Sequence, residues 1–86
     1  MNPERMMQAI TEAYMEANGI PIRPKTTEAE RENALNGLVS VADEDGFKAG
    51  LRLLASSLCP YQTGALADAW LAGRMRGLAE AFARAR

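Results

Sequence analysis

The fold of this chain depends on residues 46–77, which read GFKAGLRLLASSLCPYQTGALADAWLAGRMRG. A pair of glycines four residues apart opens this stretch, Gly46 and Gly50, and a second pair closes it, Gly73 and Gly77. Residues four apart share one face of an α-helix, so each pair leaves a flat patch that another backbone can approach closely. Two such patches on consecutive helices predict a tightly packed C-terminal helical hairpin.

The residues around these glycines predict where the two helices run. Apolar residues recur at spacings of four, three and four in the first helix, at Phe47, Leu51, Leu54 and Leu58. This one-face pattern predicts a helix that restarts near 40–43 and reaches Leu58. Pro60 cannot continue it, because proline lacks a backbone N–H. Thr63 is placed to cap a final helix, for which we expect the bounds 64–84.

The final helix carries two apolar stripes, and each of them needs a cover. The first stripe is Leu66, Trp70, Gly73 and Gly77, and the second is Leu71, Met75, Leu78 and Phe82. The stripes lie roughly 120–140° apart at 100° per residue. The preceding helix covers one stripe in this prediction. An earlier helix or a second subunit must cover the other.

The N-terminal part predicts two more helical segments. Asn2 caps the first, which we expect over 3–18. Thr27 and Glu30 have the spacing of a capping box that begins a second helix, which we expect to end near Leu38 because Gly37 weakens it. The prediction is therefore all-α, a small bundle of three to four helices in one domain over 1–86. Its acidic helical part occupies 1–42 and its helical hairpin 43–86.

Composition excludes several classes of function. The chain has 86 residues, of which 48% are hydrophobic and 24% charged, a globular composition. It contains no histidine and one cysteine, Cys59, so the usual general base and a zinc ligand set are missing. We therefore expect no enzyme, no metal and no cofactor. The N-terminal sequence lacks a signal-peptide pattern and no apolar run is long enough to span a membrane, so we expect a cytoplasmic protein with no membrane partner.

Charge is distributed unevenly along the chain. Residues 1–45 contain nine acidic and four basic side chains, a balance of −5, whereas residues 46–86 contain two acidic and six basic ones, a balance of +4. Such asymmetry is typical of proteins that bind a charged partner. It is equally typical of a helical protein with solvated charged faces, and both interpretations stay open.

The order of motifs in the second half resembles one known family. Gly-aromatic-x-Ala-Gly at 46–50, then Cys-Pro-Tyr at 59–61, then Trp-x-x-Gly at 70–73 resembles the signature of the ribosome modulation factor family. The spacing from Gly46 to Cys59 and from Cys59 to Trp70 is also similar, and the resemblance covers about 43–80. It implies a compact helical fold that binds the small ribosomal subunit and its rRNA. A related branch is described as modifying fluoroquinolone antibiotics.

A nucleic-acid site implied by this resemblance would draw on the second half. Its candidate residues are Lys48, Arg52, Tyr61, Gln62, Arg74 and Arg76. The basic side chains would contact phosphates, and Tyr61 and Gln62 would meet a base. The alternative is that these are ordinary solvated charges and that Tyr61 packs inside the protein. An acidic first half opposes RNA binding, because affinity for RNA depends largely on neutralising phosphates.

A second functional hypothesis needs no RNA. The two-sided final helix and the acidic first half also suit a protein–protein interaction or regulatory module, with a protein partner or as a homodimer. An enzyme is the third hypothesis. The acidic cluster Glu28, Glu30 and Glu32 fits helix-start and surface charges better than an acid/base pair.

Overall fold

The computed structural model describes residues 2–62 and 64–85, which contain three α-helices, one short 3₁₀ helix and no strand. The α-helices are α1 (Pro3–Ala17), α2 (Glu28–Leu51) and α3 (Gly64–Arg84), and the 3₁₀ helix Ser56–Leu58 lies between α2 and α3. The prediction of an all-α bundle is confirmed, as are the bounds of the final helix. The predicted capping role of Thr63 lies outside the described residues.

Helix α1 has the termini that its sequence predicts. The Asn2 side chain accepts a hydrogen bond from the Glu4 backbone N–H at 2.8 Å, and Pro3 occupies the first turn. At the other end Gly19 adopts a left-handed φ of 74°. The Gly19 N–H donates to the Glu16 carbonyl, and the Ile20 N–H donates to the Met15 carbonyl. This pattern is a Schellman motif, in which glycine avoids the steric cost of positive φ.

Helix α2 is one continuous helix of 24 residues, and the prediction of a break between Leu38 and Asp43 is wrong. The capping box at its start is present, with reciprocal hydrogen bonds between Thr27 and Glu30. A single glycine costs about 1 kcal/mol inside a helix, and Gly37 has open space around it. That cost does not end a helix whose apolar residues keep helical spacing on both sides of it. The expected division of the chain at 42/43 therefore falls inside α2.

Helix α2 ends at Leu51, so the prediction that it reaches Leu58 is also wrong. The Leu53 N–H donates to the Gly50 carbonyl and the Leu54 N–H to the Ala49 carbonyl, both at 3.0 Å. This is a second Schellman motif, with Leu53 rather than glycine at a φ of 58°. The chain leaves the helix here because it must return along α2 before α3 begins. Leu54 and Leu58 thus end on the surface, 37% and 59% exposed.

The predicted close packing of the last two helices is confirmed, since α2 and α3 meet through their glycines. A Cβ atom on Gly46 would overlap the Trp70 backbone, and one on Gly50 would overlap the Arg74 carbonyl. A step of one turn along α2, from Gly46 to Gly50, therefore moves the contact one turn along α3, from Trp70 to Arg74, in the same chain direction. The two helices run parallel, because residues 52–62 carry the chain back before α3 starts.

A small core forms where α3 begins to pack on α2. Ala42, Ala49, Leu66 and Trp70 are buried together. The partly buried side chains packed against them come from all three helices and from the α2–α3 connection: Ala17, Leu35, Leu38, Val39, Cys59, Tyr61 and Ala69. The first predicted stripe of α3 is confirmed, since its residues are buried against α2.

Helix α1 crosses the first half of α2 and is held there mainly by polar contacts. The buried Glu12 carboxylate accepts hydrogen bonds from the Thr26 hydroxyl at 2.6 Å, from the backbone N–H groups of Lys25 and Thr26, and from Gln8. These bonds, led by the Thr26 hydroxyl, lower the pKa of Glu12 to about 2. Glu12 therefore ties α1 to the segment that enters α2.

Candidate nucleic-acid interface

The segment 52–62, called the connector below, joins α2 to α3 and forms the centre of the candidate site. It begins at Arg52, the C-cap of α2, and makes one 3₁₀ turn at Ser56–Leu58. The Leu58 N–H donates to Ala55 and the Cys59 N–H to Ser56, both at 3.1 Å. These local hydrogen bonds, together with the Schellman motif at Leu53, give the connector a defined course without regular secondary structure.

The end of the connector is anchored by two side chains of the Cys-Pro-Tyr motif. Cys59 and Tyr61 pack against the buried cluster, while Pro60 and Gln62 are exposed. Burial is the first cause that raises the pKa of Tyr61, and the nearby Asp45 carboxylate adds to it. The phenol therefore stays protonated at neutral pH. Packing takes up much of the Tyr61 ring, and the side chain of Gln62 remains available to a ligand.

Two arginines lie at the opposite end of the connector. Arg74 of α3 donates through Nε to the Leu54 carbonyl oxygen at 2.7 Å. Arg52 is exposed at the point where the connector begins. Within residues 2–62 and 64–85 neither arginine forms an ion pair. The connector therefore has two uncompensated positive charges at its start and an exposed amide at its end.

The other two predicted cations are each paired with a carboxylate. The Arg76 guanidinium pairs with the Asp43 carboxylate at 2.6 Å and lies 5.6 Å from the centre of the Phe47 ring. Arg76 is two residues from Arg74, so the two side chains leave α3 about 160° apart. Lys48 pairs with Glu44 at 3.6 Å on the exposed surface of α2. The structure thus places Arg52 and Arg74 at the start of the connector and Tyr61 and Gln62 at its end, and it turns Arg76 to another side of α3.

Two features of this site carry little signal in the sequence. The Leu54 carbonyl that holds Arg74 becomes available only because the helix ends three residues earlier. Leucine at positive φ has no sequence signature, since glycine or asparagine is the usual residue there. The sequence hints at this helix end only through Leu53 and Leu54, which are followed after Ala55 by Ser56 and Ser57.

Comparison with known proteins finds no relative of this chain, and the structure itself bears on metal binding and on membrane insertion. No protein-family model, curated protein or solved structure matches the chain. In the described part of the chain, no three histidine, cysteine or acidic side chains gather where a metal ion would bind. None of the helices described is both long and apolar enough to cross a membrane.

Proposed function

We propose that this chain is a small cytoplasmic protein that binds the small ribosomal subunit through its rRNA and modulates translation, acting by binding rather than catalysis. The observation that supports it best is that the connector has Arg52 and Arg74, neither of them in an ion pair within the described residues, at its start and Tyr61 and Gln62 at its end. These four candidates belong to the part of the chain that resembles the ribosome modulation factor family. The glycines and tryptophan of that resemblance pack α2 on α3, and their role is to hold the connector in place.

The chemistry of this surface suits a single-stranded RNA segment. Arg52 and Arg74 are free to contact phosphates, which supply most of the affinity in such complexes. The Gln62 amide offers both a donor and an acceptor to a base edge. The exposed edge of Tyr61 provides limited stacking area beside it.

Internal pairing reduces the opposition of the acidic first half. Asp43 and Glu44 are paired with Arg76 and Lys48, and Glu12 is buried in hydrogen bonds. Glu16 and Glu30 pair with Arg31 and Arg5. Only the Asp43 and Glu44 pairs offset the balance of −5, since Arg5 and Arg31 are already counted in it and Glu12 keeps its charge.

Co-sedimentation with small ribosomal subunits at two salt concentrations tests this proposal. Arg52→Gln with Arg74→Gln removes the two connector charges and keeps side chains that hydrogen bond. Arg23→Gln with Lys25→Gln is the matched control, because it removes the same charge from the exposed α1–α2 connection. We expect only the connector variant to bind more weakly and to lower the salt slope by roughly 1.5, the value for two phosphate contacts. Absence of binding by the wild type at low salt would refute ribosome binding.

A second candidate is a protein-binding helical module, and the exposed apolar side chains of α3 favour it. Met75 and Phe82 are 62% and 64% exposed, and exposed apolar patches commonly mark protein interfaces. The affinity for such a protein partner would depend little on salt concentration. It would be lost on Met75→Glu with Phe82→Glu and kept in the connector variant.

A further inference from the structure

Helix α3 has a second apolar side that the described residues leave largely open. This side, called the α3 outer face below, consists of Leu71, Met75, Leu78 and Phe82, the second predicted stripe. Leu71 is 37% exposed, and Met75 and Phe82 are mostly exposed. Leu53 of the connector extends this face, since it lines one cavity together with Phe82.

Charge is scarce around the α3 outer face. The exposed residues beside the stripe are the alanines Ala65, Ala72, Ala79 and Ala83. Asp68 and Arg74 are the charged residues among 65–83 whose helical positions lie beside the stripe, one on each side of it. A helix side with so few charges is typical of close packing against another helix, because alanines let two backbones approach.

The core of a single chain is unusually small for its apolar content. Seven hydrophobic residues are buried in the described part of the chain, and five of them are alanines, so Leu66 and Trp70 are the only large ones. Eleven large hydrophobic side chains are exposed. Small domains commonly gain the missing apolar burial by association.

We infer that the α3 outer face binds the same face of a second copy of this chain, with the two α3 helices antiparallel about a two-fold axis. This inference names the partner of the protein-binding candidate and does not depend on ribosome binding. The spacing of Leu71, Met75, Leu78 and Phe82 is four, three, four, which is the same in both directions. An antiparallel pair therefore places Leu71 opposite Phe82 and Met75 opposite Leu78, as a two-fold interface requires. The spacing is also that of a coiled-coil seam.

Charge and area support this occupant. In a parallel pair the two Asp68 carboxylates would face each other, whereas the antiparallel register separates them by about 25 Å. Leu53, Leu54, Leu71, Met75 and Phe82 together expose on the order of 500 Å² at about 200 Å² per large side chain. With the neighbouring alanines this approaches the roughly 800 Å² per partner that stable interfaces bury.

Sedimentation equilibrium of the full chain over about 1–500 µM, a range that brackets micromolar dissociation constants, tests self-association. We expect a wild-type dimer that Met75→Glu with Phe82→Glu weakens by about 30-fold or more. Met7→Glu with Val41→Glu is the matched control, because these side chains are 62% and 54% exposed on α1 and α2. Circular dichroism verifies that each variant stays helical. A monomeric wild type, or equal weakening of the dimer in the control variant, would overturn the inference. The ribosome proposal is tested separately, by co-sedimentation alone.

Cross-linking tests the orientation separately. In a Cys59→Ser background, Met75→Cys and Leu71→Cys are compared with a short bifunctional maleimide. The antiparallel register offsets the two copies of residue 75 by about 4.5 Å along the axis and those of residue 71 by about 16 Å. We therefore expect a cross-linked dimer for Met75→Cys and none for Leu71→Cys. Efficient cross-linking of both would indicate a parallel pair and would overturn the register.

Discussion

Gly50 and Gly77 face each other across the contact between α2 and α3. A Cβ atom on Gly50 would lie 2.9 Å from the Gly77 Cα atom, and one on Gly77 would lie 3.0 Å from the Gly50 Cα atom. Neither neighbour is a flexible side chain, so the helices themselves would have to separate. This pair, with Gly46 and Gly73 one turn earlier, sets the distance between the two helices and with it the position of the connector.

Gly50→Ala should destabilise the protein by about 2–3 kcal/mol, the cost of overpacking a contact that cannot yield. Gly37→Ala lies in the same helix but meets open space, so it should stabilise by about 1 kcal/mol through helix propensity. Urea denaturation followed by Trp70 fluorescence measures both. A stabilising Gly50→Ala would contradict the close approach.

Leu53→Gly should stabilise the protein by about 1 kcal/mol, because glycine adopts the left-handed conformation without a steric penalty. Leu53 is 62% exposed, so little packing is lost in a single chain. Leu53→Ala is the control, since alanine keeps the Cβ atom that causes the strain. Denaturant midpoints at one fixed protein concentration measure the change, and equal midpoints for the glycine and alanine variants would argue against a strained Leu53.

The stability of the protein should fall between about pH 5 and pH 2. The pKa of Glu12 is lowered from 4.5 to about 2 by its hydrogen bonds, first of all that from the Thr26 hydroxyl. A carboxylate with a depressed pKa stabilises the folded state fully when the pH is above the pKa that the group has in the unfolded chain. This contribution is lost as the pH falls through the pKa that the group has in the folded protein. The hydrogen bonds from Arg5 lower the pKa of Glu30 to about 2 as well, so its contribution disappears in the same range.

Glu12→Gln should therefore lower the unfolding midpoint at pH 7 and flatten its decline toward pH 2. Glu32→Gln changes an exposed carboxylate on α2, and we expect it to behave like the wild type. Thermal unfolding from pH 7 to pH 2 measures both profiles. A Glu12→Gln curve parallel to that of the wild type would show that the network around Thr26 does not depend on the charge.

Asp45→Asn should strengthen binding to small ribosomal subunits. The Asp45 carboxylate is close enough to Tyr61 to raise the pKa of the phenol, so it also repels phosphates at that end of the connector. Removing one exposed like charge is worth about 0.5 kcal/mol, or roughly a twofold gain in affinity at low salt. Glu28→Gln, on the first turn of α2, is the control, and a gain of the same size there would point to net charge rather than to this surface.

Sequence patterns predicted where the helices begin better than how far α2 continues. Asn2 and the Thr27–Glu30 capping box each act through hydrogen bonds within a few residues, so they operate as the sequence indicates. The predicted break after Leu38 was wrong because the weakness of Gly37 is local, whereas the packing that outweighs it comes from α1 and α3. The predicted extension to Leu58 was wrong for a related reason. Apolar spacing continues through Leu54, but the return of the chain toward α3 ends the helix first.

The candidate site shows the same division. Residue types and the family resemblance proposed six candidates without distinguishing the directions in which Arg74 and Arg76 leave α3: Lys48, Arg52, Tyr61, Gln62, Arg74 and Arg76. The direction of Arg76 is determined by its angle on α3 and by Asp43 on the neighbouring helix.

The sequence by itself determined the helical class, the caps and the glycine patches, because these depend on side chains a few residues apart. Only the tertiary structure decided that α2 is continuous, that α3 runs parallel to it and that one apolar side of α3 stays open. Those outcomes depend on which helix surfaces meet. Residues far apart in the sequence, such as Gly50 and Gly77, determine this because they set how closely the two helix backbones can approach.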